Sequence, residues 1–286
     1  MKILTFDIED WFHVLDNSKT ASPNDWLRFS SRLEAGVDRI LHLLDDTNQS
    51  ATFFCLGWVA EKYPNVIKNM IKEGHHIATH SHEHQLAYQQ NPHSFEEDLR
   101  RSIGTLEEIT GKKIDTYRAP GFSIIDKNLW VFEILGKNDI KTDCSIFPAN
   151  RAHGGLPNYS CAEPSIIKYN DFTFHSFPIN TSKILGKDIV YSGGGYFRLL
   201  PQWYINRQFS IDKYVMTYFH PRDFDPDQPM IPGLSLTRKF KSYVGLSTSY
   251  TKLDKLLRTY SFMNVDTAAN ALDWDSVKTI DLGPHG

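Results

Sequence analysis

Ala78-Thr79-His80-Ser81-His82-Glu83-His84 packs three histidines and one acid into the last five residues of a seven-residue stretch. The stretch continues an apolar-alternating run that begins at His75. Neutral imidazole is the commonest protein ligand for a metal. Two histidines four residues apart can meet one ion. Such polar crowding at the end of a strand is costly unless something binds it. The stretch therefore predicts a metal-centred site at strand ends, and the rest of the chain has to supply the remaining groups.

Upstream, Ile3-Leu4-Thr5-Phe6 is apolar and ends in Asp7-Ile8-Glu9-Asp10. That reads as a buried first strand with acids at its carboxyl end. Residues 51–57 read as a second strand and residues 75–79 as a third. Helices are expected between them. One carries Leu33, Val37, Ile40, Leu41 and Leu44, and the next carries Val66, Ile67, Met70 and Ile71 and closes at Gly74. Downstream, residues 95–110 predict a long amphipathic helix followed by Gly111. Residues 116–121 predict a short strand and turn, residues 129–135 a helix, and residues 140–145 a strand end. From about residue 150 to 200 strand-like pieces (165–169 and 172–179) alternate with turns such as Gly193-Gly194-Gly195. Residues 202–209 read as a helix, 214–219 as a strand ending at His220-Pro221-Arg222, and the proline-rich loop to Pro232 as a rim or lid. Residues 250–260 predict a helix and 262–265 a closing strand. Strands alternating with helices predict an α/β fold with a parallel sheet and right-handed crossovers, closed or open. Polar groups that collect just after strands match the catalytic face of a βα barrel.

The 286 residues suffice for one large core, and with 41% hydrophobic content a single domain over 1–286 is expected. A net charge of -3 and a pI near 6.5 advertise no nucleic-acid partner. No stretch of about 18 apolar residues predicts a membrane span. The N-terminus turns acidic by Asp7, so no leader is read there and the cytoplasm is the expected compartment. Three cysteines without Cys-x-x-Cys spacing argue against a disulfide framework or a thiolate zinc site. The oligomeric state is not legible.

The strand-end groups are Asp7, Glu9, Asp10, His80, His84, Arg118, Asp143 and His220. Two histidines and a carboxylate form a catalytic zinc-type set. A second carboxylate beside it can take a proton from water, an arginine can keep that carboxylate ionised, and a separate histidine can protonate a leaving group. This is equipment for hydrolysing an amide or ester.

In this order the residues resemble the polysaccharide deacetylases with a NodB-type domain, carbohydrate esterase family 4. Thr5-Phe6-Asp7-Ile8-Glu9-Asp10 is similar to the family's TFDDG motif, His80 to His84 to HSxxH, and Tyr117-Arg118-Ala119-Pro120 to RxP. Thr142-Asp143-Cys144-Ser145 resembles the Asp-bearing motif, and Tyr218-Phe219-His220-Pro221 the last one. The five motifs lie within residues 1–225. The resemblance implies a distorted (β/α)7 barrel and a metal-dependent hydrolase that removes N-acetyl groups from a sugar or glycan. It implies Asp7 as general base, Arg118 as its orienting partner, His80 and His84 as metal ligands, and Asp143 tuning His220, the general acid. Zinc is the first expectation, and cobalt, manganese or nickel suit the same ligands.

The first motif departs from the family pattern, so the carboxylate ligand is open between two residues. Glu9 shares Asp7's side of a period-two strand, whereas Asp10 carries the family's side chain but needs a turn first. The third motif has Gly121 after Pro120 where an aromatic residue often follows, which leaves Phe122 as its replacement near the substrate. Trp11 and Tyr196 are candidate sugar-stacking platforms. Residues 7–13 and 193–198 together resemble the branch found in exopolysaccharide loci. Two other readings are a barrel amidohydrolase acting on a small non-sugar amide and a glycan-binding pseudoenzyme.

Overall fold

Phe6 and Ile8 alternate with Thr5 and Asp7, and this sets which face of the first strand meets which layer. In the computed structural model, which describes residues 1–149, 153–184 and 187–283, β1 runs in two stretches, Lys2–Ile3 and Thr5–Ile8. Phe6 and Ile8 enter the largest apolar cluster with Val37, Ile40 and Leu44 of α1 (Leu33–Asp46). On the opposite face Thr5 and Asp7 meet polar partners, described below.

Apart from a separate antiparallel pair, Ser182–Ile184 with Lys187–Ile189, the strands that follow are β2 (Thr52–Cys55), β3 (His76–Thr79), β4 (Thr116–Tyr117), β5 (Thr142–Asp143), β6 (Ser165–Tyr169), β7 (Phe172–Ser176), β8 (Val215–Met216) and β9 (Lys278–Asp281). Eight of them form one sheet in the order β9-β6-β7-β5-β4-β3-β2-β1. From β1 through β5 to β7 every pairing is parallel. β6 returns antiparallel on β7, and β9 adds a parallel edge. On the free side of β1, β8 pairs parallel with Lys2–Ile3, and single bridges join Phe6 to Phe219 and Gly193 to Tyr218. Among the described residues no ladder joins the Gly193 segment back to β7. The architecture is the expected α/β fold on a parallel sheet, curved toward a barrel but not closed by a ladder.

Helices cover the outer face, as parallel strands require. α2 (Gly57–Lys62) and α3 (Pro64–Lys72) follow β2. α4 (Pro92–Thr110) begins with a reciprocal cap between Asn91 and Ser94, has Pro92 in its first turn, and ends at Gly111 with φ 64°. α5 (Val131–Lys137), α6 (Gly194–Leu199), α7 (Gln202–Ile211), α8 (Leu236–Tyr243), α9 (Leu246–Thr259) and α10 (Val265–Ala271) follow, and a single helical turn, Pro23–Trp26, precedes α1.

The differences from expectation lie late in the chain. Residues 262–265 supply one bridge, Met263 to Ile3, and not a strand. Asn264 accepts from the Thr267 amide and starts α10 there, so a helix cap overrides a short apolar run. β9 was not anticipated because it is a largely exposed edge without an apolar run. Ile231 of the loop read as a rim, and Leu234 just after it, pack against the Trp11–Phe12–Trp26 cluster, and α8 follows with no buried side chain. No helix among the described residues is long and apolar enough to cross a membrane.

Candidate active site and metal centre

The histidine loop is a strained segment held from outside. Ser81 and His84 both adopt positive φ, 68° and 54°, which L residues adopt at a cost. α4 holds the loop in place. The Asp98 carboxylate accepts from the His82 amide at 2.7 Å and the Glu83 amide at 2.9 Å, and the Ser102 hydroxyl donates to the Ser81 carbonyl at 3.0 Å. Gly57 gives the His82 ring its space, since a Cβ there would lie 2.3 Å from Nδ1. His82 and Glu83 are thus spacers by position, and the loop presents His80 and His84 to one point.

Glu9 meets them there. Its Oε1 lies 3.2 Å from His80 Nε2 and 2.9 Å from His84 Nε2. His80 Nδ1 donates to the Arg118 carbonyl at 2.8 Å, which fixes the ring with Nε2 toward Glu9, where its lone pair would serve a metal in the neutral form. Glu9, His80 and His84 each offer a ligand atom, all within 4.8 Å of one another, and all three residues are buried. Two imidazoles and one carboxylate with a remaining open side suit a catalytic divalent ion. The residues present therefore fit a metal. Burial alone would raise Glu9, but the neighbouring charges of His84 and His220 and hydrogen bonds from His80 and His84 hold its carboxyl well below the usual range.

Asp10 is not brought to this cluster. Its carboxylate accepts from the Trp11 amide at 2.8 Å, the Ser31 hydroxyl and the Arg32 amide, and so ties the chain before α1. The strand ends at Ile8, and a tight turn in which the Glu9 amide donates to the Asp7 carbonyl at 3.0 Å sets Glu9 beside Asp7 and leaves Asp10 to the flanking loop.

Asp7 lies beside Glu9. Arg118 Nη1 donates to Asp7 Oδ1 at 2.6 Å and to Thr5 Oγ1 at 2.8 Å. The guanidinium is fully buried and lies 3.9 Å from the centroid of the Phe54 ring. An arginine locked in this way fixes one oxygen of Asp7 and leaves Oδ2 toward His220, whose Nε2 is 3.8 Å away. The same Nε2 is 3.8 Å from Glu9 Oε1.

The partner of His220 is not the expected one. Its Nδ1 meets Asp223 Oδ2 at 3.1 Å, and the same oxygen accepts the His220 amide at 3.0 Å. Asp223 Oδ1 lies 3.1 Å from Arg198 Nε. Burial alone would lower His220, but Glu9, Asp223 and Asp7 together raise it to about 9. Asp143, expected in the tuning role, has one oxygen on the Ser145 amide at 3.2 Å, and the other has no hydrogen-bond partner among the described residues. Burial pushes its carboxyl up to about 7. The signal that points to Asp223 is local: His220-Pro221-Arg222-Asp223 forms a 3-10 turn (Pro221–Phe224) that folds residue i+3 back onto residue i.

Asp7, Glu9, His84, His220, Asp223, Gly121 and Phe122 line one cleft of about 260 Å³, with His80 and Arg118 behind its wall. Gly121 and Phe122 both turn through positive φ at its mouth, after Pro120, which is itself buried. Trp11 is not a platform: it is 5% exposed and packs edge-on against Phe12 and Phe29. Tyr196 is exposed but does not line the cleft; its neighbours Gly194, Gly195 and Arg198 do. His13 also lines the cleft and had not been singled out. Its Nδ1 accepts from the Asp10 amide at 3.1 Å, and burial lowers the ring to about 3.

The family model for polysaccharide deacetylase matches residues 16–138, and a domain of unknown function, DUF3473, matches residues 144–270. A peptidoglycan-N-acetylglucosamine deacetylase of Bacillus cereus is 32% identical over 96 residues, 33% of this chain and 35% of its own length. The chain thus spans about a third of that curated relative. The crystal structure of a Mycobacterium smegmatis protein provisionally assigned as a polysaccharide deacetylase shares the fold, with TM-score 0.66, 17% identity, and coverage of 96% of this chain and 91% of that one. A solved peptidoglycan N-acetylglucosamine deacetylase aligns at TM-score 0.50 and 17% identity, covering 93% and 86%.

Proposed function

We propose, for a chain that belongs to the polysaccharide deacetylase family through residues 16–138, that it hydrolyses the N-acetyl group of a sugar within an oligosaccharide or glycan precursor. Residues 1–286 act as one catalytic unit in this reading, because the cleft draws on both halves of the chain. The observation that carries it is the convergence of Glu9, His80 and His84 with an arginine-held carboxylate and a carboxylate-held histidine in one cleft.

Glu9, His80 and His84 hold the metal, for which zinc is the first choice. When bound there, a divalent ion supplies Lewis-acid polarisation of an amide carbonyl and of water. Asp7 is the general base. Its Oδ1 is fixed by Arg118 and its Oδ2 receives the proton of the attacking water. His220 is the general acid. Asp223 holds Nδ1–H, so the proton on Nε2 faces the cleft and goes to the departing amine nitrogen. Arg198 fixes the far side of Asp223, so the acid is oriented through two successive contacts. Gly121 and Phe122 shape the wall beside the scissile amide.

Acetate release from N-acetylated oligosaccharides and from carrier-linked N-acetyl sugars, with and without chelator, tests the reading. Activity that survives both chelation and His80→Ala would overturn the metal-assisted mechanism. Turnover of small non-sugar amides without any sugar deacetylation would overturn the substrate class.

A further inference from the structure

Part of the cleft lining is cationic, although the chain as a whole carries a net charge of -3. Arg198, Arg222, Arg238 and Lys241 all line the cleft, against the carboxylates Asp7, Glu9 and Asp223. Each of these carboxylates already has a partner: Arg118 for Asp7, the two histidines for Glu9, and His220 with Arg198 for Asp223. Among the described residues, Arg222, Arg238 and Lys241 have no carboxylate within ion-pair distance.

Their placement is built. Arg222 lies two residues after His220, in the turn that carries Asp223. Its Nη2 is buried and has no acceptor among the described residues, and a buried guanidinium donor without an acceptor is costly. Arg238 and Lys241 stand three apart on α8, hence on one face. That helix buries none of its own side chains and is pinned by other means. Arg198 donates to the carbonyls of Lys241 at 2.9 Å and Ser242 at 2.7 Å, and Arg238 donates to those of Leu15 and Asp16, each at 2.6 Å. The hydrogen bonds of Arg238 go to neutral carbonyls, so its charge stays uncompensated. Arg198 thus joins the general-acid turn to the cationic helix.

We propose that Arg222, Arg238 and Lys241 form an oxyanion subsite, so that the sugar taken at this centre carries a phosphate or carboxylate close to its N-acetyl group. Guanidinium forks match the oxygens of either anion, and Lys241 adds a mobile point charge. Inside a cleft such contacts gain strength over those in bulk water. A neutral N-acetylated chain would leave the Arg222 donor unmet. The placement of the sugar rests on the deacetylase reading; the anion subsite itself does not.

Calorimetric titration of the full-length, metal-loaded protein tests this without turnover. The ligands are N-acetylglucosamine, N-acetylglucosamine 1-phosphate, an N-acetylglucosaminyl-glucuronate disaccharide and inorganic phosphate. At least one anionic sugar is expected to bind about tenfold or more tighter than N-acetylglucosamine. Whichever of the two binds tighter identifies the source of the anion. Lys241→Gln, at an exposed side chain, and Arg222→Gln are each expected to remove about tenfold of that gain with metal content unchanged. Lys241→Gln decides the matter if Arg222→Gln fails to fold. Equal binding of neutral and anionic sugars would overturn the proposal. Anion affinity unaltered by Lys241→Gln would do the same, since the anion would then sit on the metal. Variant-sensitive anion binding without acetate release would refute the deacetylase reading and keep the subsite. Deacetylation without anion preference would do the reverse.

Discussion

Asp143 and Asp223 make an instructive pair. Both are buried; Asp143 ends β5 and Asp223 lies in the 3-10 turn that follows His220. Asp223 is held by His220 on one oxygen and Arg198 on the other; burial would raise its carboxyl, but these partners bring it down to about 2. Asp143 meets the Ser145 hydroxyl and the Ser145 and Ile146 amides, and burial pushes it up to about 7 despite them and the nearby Arg118 charge. An aspartate at a strand end is therefore not defined by its position in the topology. What separates the two is the nearest cation, and a 3-10 turn of four residues decides which aspartate reaches the histidine. Glu9 and Asp10 repeat the contrast within a single motif. One faces the histidines and the other caps a loop, because the chain leaves the strand after Ile8 and the Asp10 carboxylate is taken by the Trp11 amide, the Ser31 hydroxyl and the Arg32 amide.

The largest effect should come from breaking the adjacent pair. Glu9→Gln is expected to lose bound metal and to fall to background turnover. Asp10→Asn should keep its metal and lower the melting temperature instead. Elemental analysis of the two variants reads the difference, and a metal-free Asp10→Asn would reverse the assignment. Asp7→Asn should retain metal yet lose roughly 10²- to 10⁴-fold in kcat, the usual contribution of a positioned general base. A smaller separation is expected between the two buried aspartates. Asp223→Asn should cost about ten- to a hundredfold in kcat, because the acid loses its orientation but keeps its ring. Asp143→Asn should change kcat by less than about threefold, since no contact joins it to His220. Equal losses in both would mean that Asp143 acts on the acid after all.

The same contrast explains what the sequence disclosed. The parallel α/β fold was legible because Phe6, Ile8, Phe53 and Ile77 repeat the period of a buried strand, and Asn91, Pro92 and Gly111 punctuate α4 with ordinary caps. His80, His84, Glu9, Asp7 and Arg118 were legible because short motifs at strand ends converge whenever the strands are parallel neighbours. The remainder depends on contacts without periodicity. Asp223 reaches His220 by a local turn, Trp11 is covered by Phe29 and Phe12 from its own loop, and α8 has no buried face for a pattern to record. Tyr196 shows the limit of composition. An exposed-type aromatic is a candidate platform from sequence alone, but helix α6 turns Gly194 and Gly195 to the cleft and not Tyr196.

The smallest expected effect is thermodynamic and concerns Asp143 alone. In the native protein its carboxyl keeps the proton to about pH 7, whereas an unfolded aspartate releases it near pH 4. Between those values the native state binds more protons than the unfolded chain, so stability falls as pH rises. Each pKa unit is worth about 1.4 kcal/mol, which makes the total a few kcal/mol, lost between roughly pH 4 and 7 and constant above. Asp143→Asn removes the titration but keeps an oxygen for the Ser145 amide. Melting curves of the two proteins should therefore diverge through this window, with the variant gaining on the parent as pH rises and holding its advantage at pH 8. Parallel curves would show that Arg118 keeps Asp143 ionised in the native state. The two aspartates would then differ in their contact with His220 and not in their charge.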